Sequence, residues 1–429
     1  MKFTDLVREA RFLFAKKGIV GLLLIAFLLA VFSVWTGIQE VAQQNDTITR
    51  LIKADTEDRQ AVLAQQHDYG SAAYYSFHLT YSPPSALAFA ALGERDIYPW
   101  KHRIRMLALE GQIHESDLGN PELAQIGRID FTFVIGVLAP LFIILLLHDL
   151  RAAERSAGRY DLLTVTAKSA NSLWLSRTII VLAALSLVLL VPFWIGALLS
   201  DTPAGDVFYV SLIGIAHLCF WAALSYWVGK SDSSAPRLAS ALLGIWLMTT
   251  FIIPAAGNGI IEKMTSSPQG GDILLTQREA VNDAWDIPAQ TTMDAFTATH
   301  PEWKNHTQMN SLFEWKWYYA FQQVGDQKAA ALSAAYRQAA QEKYQTAGLV
   351  SWLSPATLVQ RLMTHLAKTD APAAYEYEQQ VRDFHSALRT FYYPLLFKEP
   401  RFEPKLLDNL PAFSVDNKTL NNKTENTKP

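Results

Sequence analysis

The chain has 429 residues, 50% of them hydrophobic and only 18% charged, with a formal charge of −3. Near-neutral charge leaves no basic footprint for nucleic acid, so no nucleic-acid partner is expected. The single cysteine, Cys219, excludes an intramolecular disulfide framework, a C-x-x-C redox site and a cysteine-based zinc site. The shortage of charge is concentrated in five apolar stretches. The pattern predicts an all-α integral membrane protein with five transmembrane helices, an N-terminal interfacial helix and two mainly helical exterior regions.

Residues 1–17 predict an amphipathic interfacial helix. Phe3, Leu6, Val7, Ala10, Leu13 and Phe14 follow the spacing of one helical face, while Lys2, Asp5, Arg8, Glu9 and Arg11 occupy the rest. Such a helix, joined directly to a span, belongs at the surface of the lipid bilayer. The first span is residues 18–38; its length and its charged leader favour an uncleaved anchor over a signal peptide. A polar insert, 39–130, follows, with a charged helical stretch from Asp46 to Gln66 and an aromatic, Pro-rich piece from Tyr74 to Pro84. The second span is 131–148, with His148 and Asp149 read as a hydrated helix end rather than a buried polar site.

Residues 149–177 connect to the third span, 178–199; the fourth is 207–229 and the fifth 238–256. All five spans lack Asp, Glu, Lys and Arg, which are costly at bilayer depth. A terminal exterior domain, 257–412, contains a clear helix from Asp326 to Thr346. Residues 350–366, broken by Ser354-Pro355 and carrying Arg361 and His365, read as an exterior or interfacial amphipathic helix rather than a sixth span. The tail, 413–429, reads as disordered.

Lys and Arg near the spans set orientation. Lys2, Arg8, Arg11, Lys16 and Lys17, then Arg151, Arg155, Arg159, Lys168 and Arg177, then Lys230 and Arg237, all fall on one side; residues 200–206 carry none. A multi-pass protein with its N-terminus cytoplasmic and its C-terminus outside is therefore expected.

The connection after the second span is patterned beyond the needs of a turn. A helix to about Ser156, a break at Gly158 and an amphipathic segment over residues 162–168 would present a short helix on the basic side. It reads Glu154-Arg155-Ser156-Ala157-Gly158-Arg159, then Leu162-Leu163. This resembles the membrane subunits of type-2 ABC exporters, where a helix end of the form E-R-E-x-G-T precedes leucines and a coupling helix. Ser156 replaces the second Glu of that pattern and Arg159 the Thr.

Exterior residues carry a second resemblance. His300-Pro301-Glu302-Trp303, Trp317-Tyr318-Tyr319-Ala320, Trp352-Leu353-Ser354-Pro355-Ala356, Leu366-Ala367-Lys368-Thr369-Asp370, Phe384-His385 and Phe391-Tyr392-Tyr393-Pro394 occur in order. In that order the chain is similar to uncharacterised bacterial ABC permeases with a large insert after span one and a large exterior terminal domain. The resemblance implies an inner-membrane permease with a periplasmic C-terminus. It also implies a pair of cytoplasmic ABC ATPase subunits and a second permease copy or similar subunit. ATP and Mg would bind the ATPase, and no cofactor would bind this chain. The implied ATPase-coupling residues are Glu154, Arg155, Gly158, Asp161, Leu162, Leu163, Val165 and Lys168. The implied exterior motif residues are His300, Pro301, Glu302, Trp303, Trp352, Ser354, Pro355, Thr369 and Asp370.

No G-x-x-x-x-G-K-[ST] loop, H-E-x-x-H pair or G-x-S-x-G elbow is present, so the chain is not expected to be an enzyme by itself. Trp303, Trp315, Trp317, Tyr318 and Tyr319 form a domain core, a headgroup contact or a ligand-stacking surface. His217, within span four, reads as packed between helices. The leading expectation is an ABC permease subunit. The alternative is an ATP-driven mechanical or sensory device acting on periplasmic partners without transbilayer transport.

Overall fold

The computed structural model describes residues 3–114, 129–167 and 169–415. Lys168 and residues 416–429 lie outside that description, as do the side chains of Phe3 and Leu6. Helix α1 (Phe3–Phe14) turns at Ala15-Lys16 into α2 (Lys17–Leu63). At 1.5 Å per residue, α2 is a rod of about 70 Å. Its first half is apolar and its second half charged, so span one and the first helix of the insert are a single element. The buried stripe Ala26, Ala30, Ser33, Val34 and Gly37 is made of small residues, which lets α2 lie close against the third span.

After α3 (Tyr69–Tyr75) come two four-residue strands, β1 (His78–Tyr81) and β2 (Lys101–Ile104), paired antiparallel with His78 opposite Ile104. This strand pair interrupts a region that the sequence predicts to be helical. Between the strands, residues 87–92 are all buried and pack among the spans. A Cβ at Gly37 would lie 1.9 Å from the Phe89 carbonyl oxygen, so the loop fits only because position 37 has no side chain. Non-helical backbone among spans is tolerated when protein surrounds it. Here Thr132 donates its backbone N–H to the Ala90 oxygen (3.0 Å), and the Leu92 N–H is bound by Asp130 (3.0 Å).

Helix α4 (Glu110–His114) ends the first described stretch of the chain. The second span, α5 (Phe131–Ser156), is the most buried of the five. A π-helical turn, Val134–Leu138, sits two residues before Pro140. Proline has no N–H to close the ladder behind it, and neighbours take the carbonyls of that turn. His217 Nε2 lies 3.2 Å from the Gly136 oxygen, and Trp246 Nε1 donates to the Val137 oxygen at 3.1 Å. His217 is thus a helix-packing histidine. Short helix α6 (Tyr160–Thr166) leads to spans α7 (Ala170–Leu199), α8 (Ala204–Val228) and α9 (Ala235–Met264). A second π turn in α9, Met248–Ile252, again precedes a proline, Pro254, by two residues.

The remainder is helical: α10 (Gly270–Asp283), α11 (Ala289–Thr299), α12 (Trp315–Ser351), α13 (Pro355–Leu366) and α14 (Ala371–Phe397). Insert and terminal region share one core. Tyr69 and Met106 of the insert pack with Phe296, Trp303, Trp317, Phe321, Tyr393 and Phe397. Trp303, Trp317 and Tyr319 are buried there, so most of the aromatic cluster is domain core. Packing continues to Phe413, whose ring meets Tyr81 (5.6 Å) and Phe384 (5.5 Å), one residue beyond the expected domain end.

Candidate functional site

The basic ends of the spans are held by buried charge. Arg177, at the foot of α7, is 2% exposed on its side chain and lies between two carboxylates. Its Nε donates to Glu9 of α1 at 2.9 Å, and a terminal nitrogen donates to Glu154 at 3.3 Å. The Phe12 and Trp174 rings cover the guanidinium at 4.7 and 5.1 Å. Glu154, 1% exposed, accepts on its other oxygen from Arg159 Nε at 2.8 Å. A buried ion needs both a counter-charge and hydrogen bonds, and each member here has them. The sequence pattern places Glu9 on the polar face of α1; the fold buries that position against Arg177.

Neighbouring arginines extend the knot to the loop between spans four and five. Arg155 donates to the Ser231 carbonyl at 2.8 Å, pairs with Asp232 at 3.0 Å and lies over Tyr160. Arg151, also buried, lies 4.6 Å from the Tyr226 ring and 5.7 Å from Trp174. Four segments, α1, residues 149–159, the start of α7 and residues 226–232, are thus linked through charge.

Out of this knot projects α6. The expected break is present: Gly158 has φ +66°, a conformation that costs a residue with a side chain roughly 1–2 kcal/mol. The Gly158 N–H donates to the Arg155 oxygen (3.0 Å) and the Arg159 N–H to the Glu154 oxygen (2.9 Å), the paired bonds that close a helix on glycine. Tyr160 then stacks on Trp174 at 5.6 Å and fixes the start of α6. None of the α6 residues is buried. Leu162 is 66% and Val165 84% exposed; Asp161 is exposed in the first turn and Leu163 half-buried. Of the coupling residues inferred from sequence, Glu154 faces inward and holds the scaffold. Leu162 and Val165 face outward.

The exterior motif residues are spread over three places. His300 stacks on Phe296 (4.6 Å), Pro301 opens a 3₁₀ turn, Pro301–His306, and Trp303 stacks on Phe397 (5.3 Å). Glu302 is exposed beside them. Ser354 caps α13 by accepting from the Thr357 N–H, Pro355 takes the first helical position, and Trp352 is exposed. Thr369 donates to the Ala91 oxygen at 2.7 Å, tying the domain to the buried loop. Asp370 caps α14 and accepts from Tyr344 (2.8 Å) and from His365 Nδ1 (3.0 Å).

The domain also holds a cavity of about 500 Å³ that no sequence motif marks. His300, Glu110, Asp326, Arg337, Arg382 and Arg389 are among its walls. Burial pushes the Glu110 carboxyl up, but hydrogen bonds from His114, Arg382 and Ser333 and the Arg382 charge hold it well below the usual carboxylate range. Arg389 pairs with Asp326 at 2.6 Å. Charges of both signs are matched inside the cavity, and Glu110 and Arg382 are 272 residues apart.

Among the described residues, five helices are long and apolar enough to cross a membrane, and the chain is a multi-pass membrane protein. Residues 273–416 match the family model described as Domain of unknown function (DUF3526). No curated protein and no solved structure matches the chain.

Proposed function

We propose that this chain is the transmembrane permease subunit of an ABC transporter, resident in a bacterial inner membrane with its N-terminus cytoplasmic and its C-terminus periplasmic. One observation carries the reading. A short helix after the second span, α6, is unburied over its whole length yet rigidly attached at its base. A partner ATPase pressing on Leu162, Leu163 and Val165 would move Gly158, Glu154 and Arg177 together, and with them α1 and span three. Rigid-body motion of packed elements is a common coupling device. ATP and Mg bind the ATPase pair; a second permease copy or similar subunit completes the assembly. The substrate is unassigned and the direction is export or translocation.

The filled interior favours a second reading. Buried side chains such as Phe131, Ile135, Phe142, Leu189 and Trp221 occupy the space between spans, and the α2 rod joins the membrane part to the domain. An ATP-driven device working on periplasmic partners, without transbilayer transport, fits those features too. Reconstituting the chain with its ATPase in vesicles separates the two: both give ATP hydrolysis that depends on Leu162 and Val165, and only the first moves solute. Hydrolysis unaffected by Leu162→Glu and Val165→Glu would sink both.

A further inference from the structure

Arg151 is 6% exposed, yet no described carboxylate pairs with it. Glu9 and Glu154 are taken by Arg177 and Arg159, and Asp232 by Arg155. Arg151 has instead the Tyr226 carbonyl, at a long 3.4 Å from Nη1, and the faces of the Tyr226 and Trp174 rings. A guanidinium offers five N–H donors, and holding it away from water without an anion is costly.

Two further donors beside it are idle. Trp174 Nε1 and Ser225 Oγ are buried and have no hydrogen-bond partner. A serine within a helix can satisfy its hydroxyl on the carbonyl one turn back. Ser211 of the same span does so, donating to the Val207 oxygen at 2.7 Å, and Thr178 of span three donates to the Trp174 oxygen at 3.0 Å. Ser225 does not. Arg151, Trp174, Thr178, Ser225 and Tyr226 line one pocket between spans two, three and four. Its idle groups can all donate, and none is an anion.

Position and size narrow the occupant. Arg151 follows His148 by three residues, Trp174 precedes Thr178 by four and Tyr226 precedes Gly229 by three, so each lies about one helical turn from a span end. That is the headgroup level, where tryptophan and tyrosine collect. Leu175 and Trp227, the neighbours of Trp174 and Tyr226, are exposed, and Lys230 adds a second cation over the Tyr226 ring at 5.1 Å. The free space is about 10 Å³, room for one oxygen atom and not for a whole solute. A phosphodiester lying among the span ends can insert one oxygen and keep the rest of the molecule outside. A water molecule would fill the space but leave the Arg151 charge unanswered.

We propose that Arg151, Trp174 and Ser225 bind the phosphate of an anionic phospholipid at the basic ends of spans two, three and four. Basic pockets between spans suit such headgroups, and a zwitterionic lipid brings its own cation to compete with Arg151. The test follows the thermal unfolding midpoint of the full chain, stripped of lipid in dodecyl maltoside. Phosphatidylglycerol, phosphatidylcholine and inorganic phosphate are added in turn at constant ionic strength. Phosphatidylglycerol should raise the midpoint by several degrees, because a ligand of the folded form stabilises it; the other two should not. Arg151→Met removes the unanswered charge, so it should fold and lose the shift. Arg237→Gln, at an exposed arginine on the same side, should keep it. Ser225→Ala should raise the half-saturating phosphatidylglycerol concentration several-fold, a readout that stands even where Arg151→Met folds poorly. A shift retained by Arg151→Met, or a half-point unchanged by Ser225→Ala, overturns the proposal. So does a shift lost in Arg237→Gln, which would mean general attraction to anionic lipid. An equal shift from phosphatidylcholine or from inorganic phosphate also overturns it, the latter marking a site for free anions.

Discussion

Arg177 is the side chain whose loss the membrane part tolerates least. Arg177→Met would leave Glu9 and Glu154 buried with one counter-charge fewer, a change that typically costs about 3–5 kcal/mol. Low yield and rapid hydrogen exchange throughout α1 are the expected results. Adding Glu9→Gln and Glu154→Gln should restore part of the protection, because no buried carboxylate is then left short of a partner. If Arg177→Met alone exchanged like the parent, the knot would not be what holds α1. At the same scale, the paired strands carry two buried histidines. Burial, aided by Arg59, pushes His78 down to about 3; burial, aided by Arg382 and His114, pushes His102 down to about 4. The unfolded chain binds these protons near pH 6.5. Their contribution is therefore complete above that pH and is lost as pH falls toward the folded values. At pH 5 the loss is about 2 kcal/mol for each histidine. Protease cleavage of the strand region should rise between pH 7 and 5, and His78→Phe should remove about half of the slope. A flat profile in the parent would contradict the assignment.

Among elements, Gly158 decides whether α6 projects. Nothing lies within 4 Å of a Cβ built there, so the cost of substitution is conformational alone. Gly158→Val should cost about 1–2 kcal/mol and misdirect α6, whereas Gly158→Asn, which enters the left-handed region more readily, should behave nearly as the parent. Measured on the reconstituted complex, Val is expected to lower ATP-coupled activity several-fold with insertion intact; equal activity of the two variants would make this segment a plain connector. The break at Gly158 is legible in the sequence because a glycine between two patterned segments has few other uses. The spans are legible for a simpler reason, since a bilayer demands about 20 apolar residues and charge marks their ends. Three features are hidden. Continuity of α2 is masked by the change from apolar to charged composition at residue 39. The strand pair is only four residues long, too short for alternation to stand out. Pairing of Glu110 with Arg382, or Glu9 with Arg177, joins residues 272 and 168 positions apart, and contacts at that range leave no periodic trace. The motif order around His300, Ser354 and Asp370 is readable, but those residues prove to be a stacking contact and two helix caps at separate sites.

For the whole molecule, the two polar regions act as one body because they share a core, and that body meets the spans through the loop 87–92, α2 and α13. Replacing Gly37 with Leu should separate them: a side chain there overlaps the Phe89 carbonyl, so loss of folded protein in detergent is expected, against parent-like yield from Gly18→Leu, which meets nothing. Equal yields would mean that the buried loop is dispensable. Contact between α6 and an ATPase is what the proposed function requires above all. A photo-crosslinking amino acid at Val165, 84% exposed, in the full chain expressed in its own cells, tests this most directly. A single adduct is expected, identified by its peptides as a chain bearing a G-x-x-x-x-G-K-[ST] loop and dependent on Gly158. No ATPase adduct from Val165, or one formed equally from Leu212, a lipid-facing control, would contradict it.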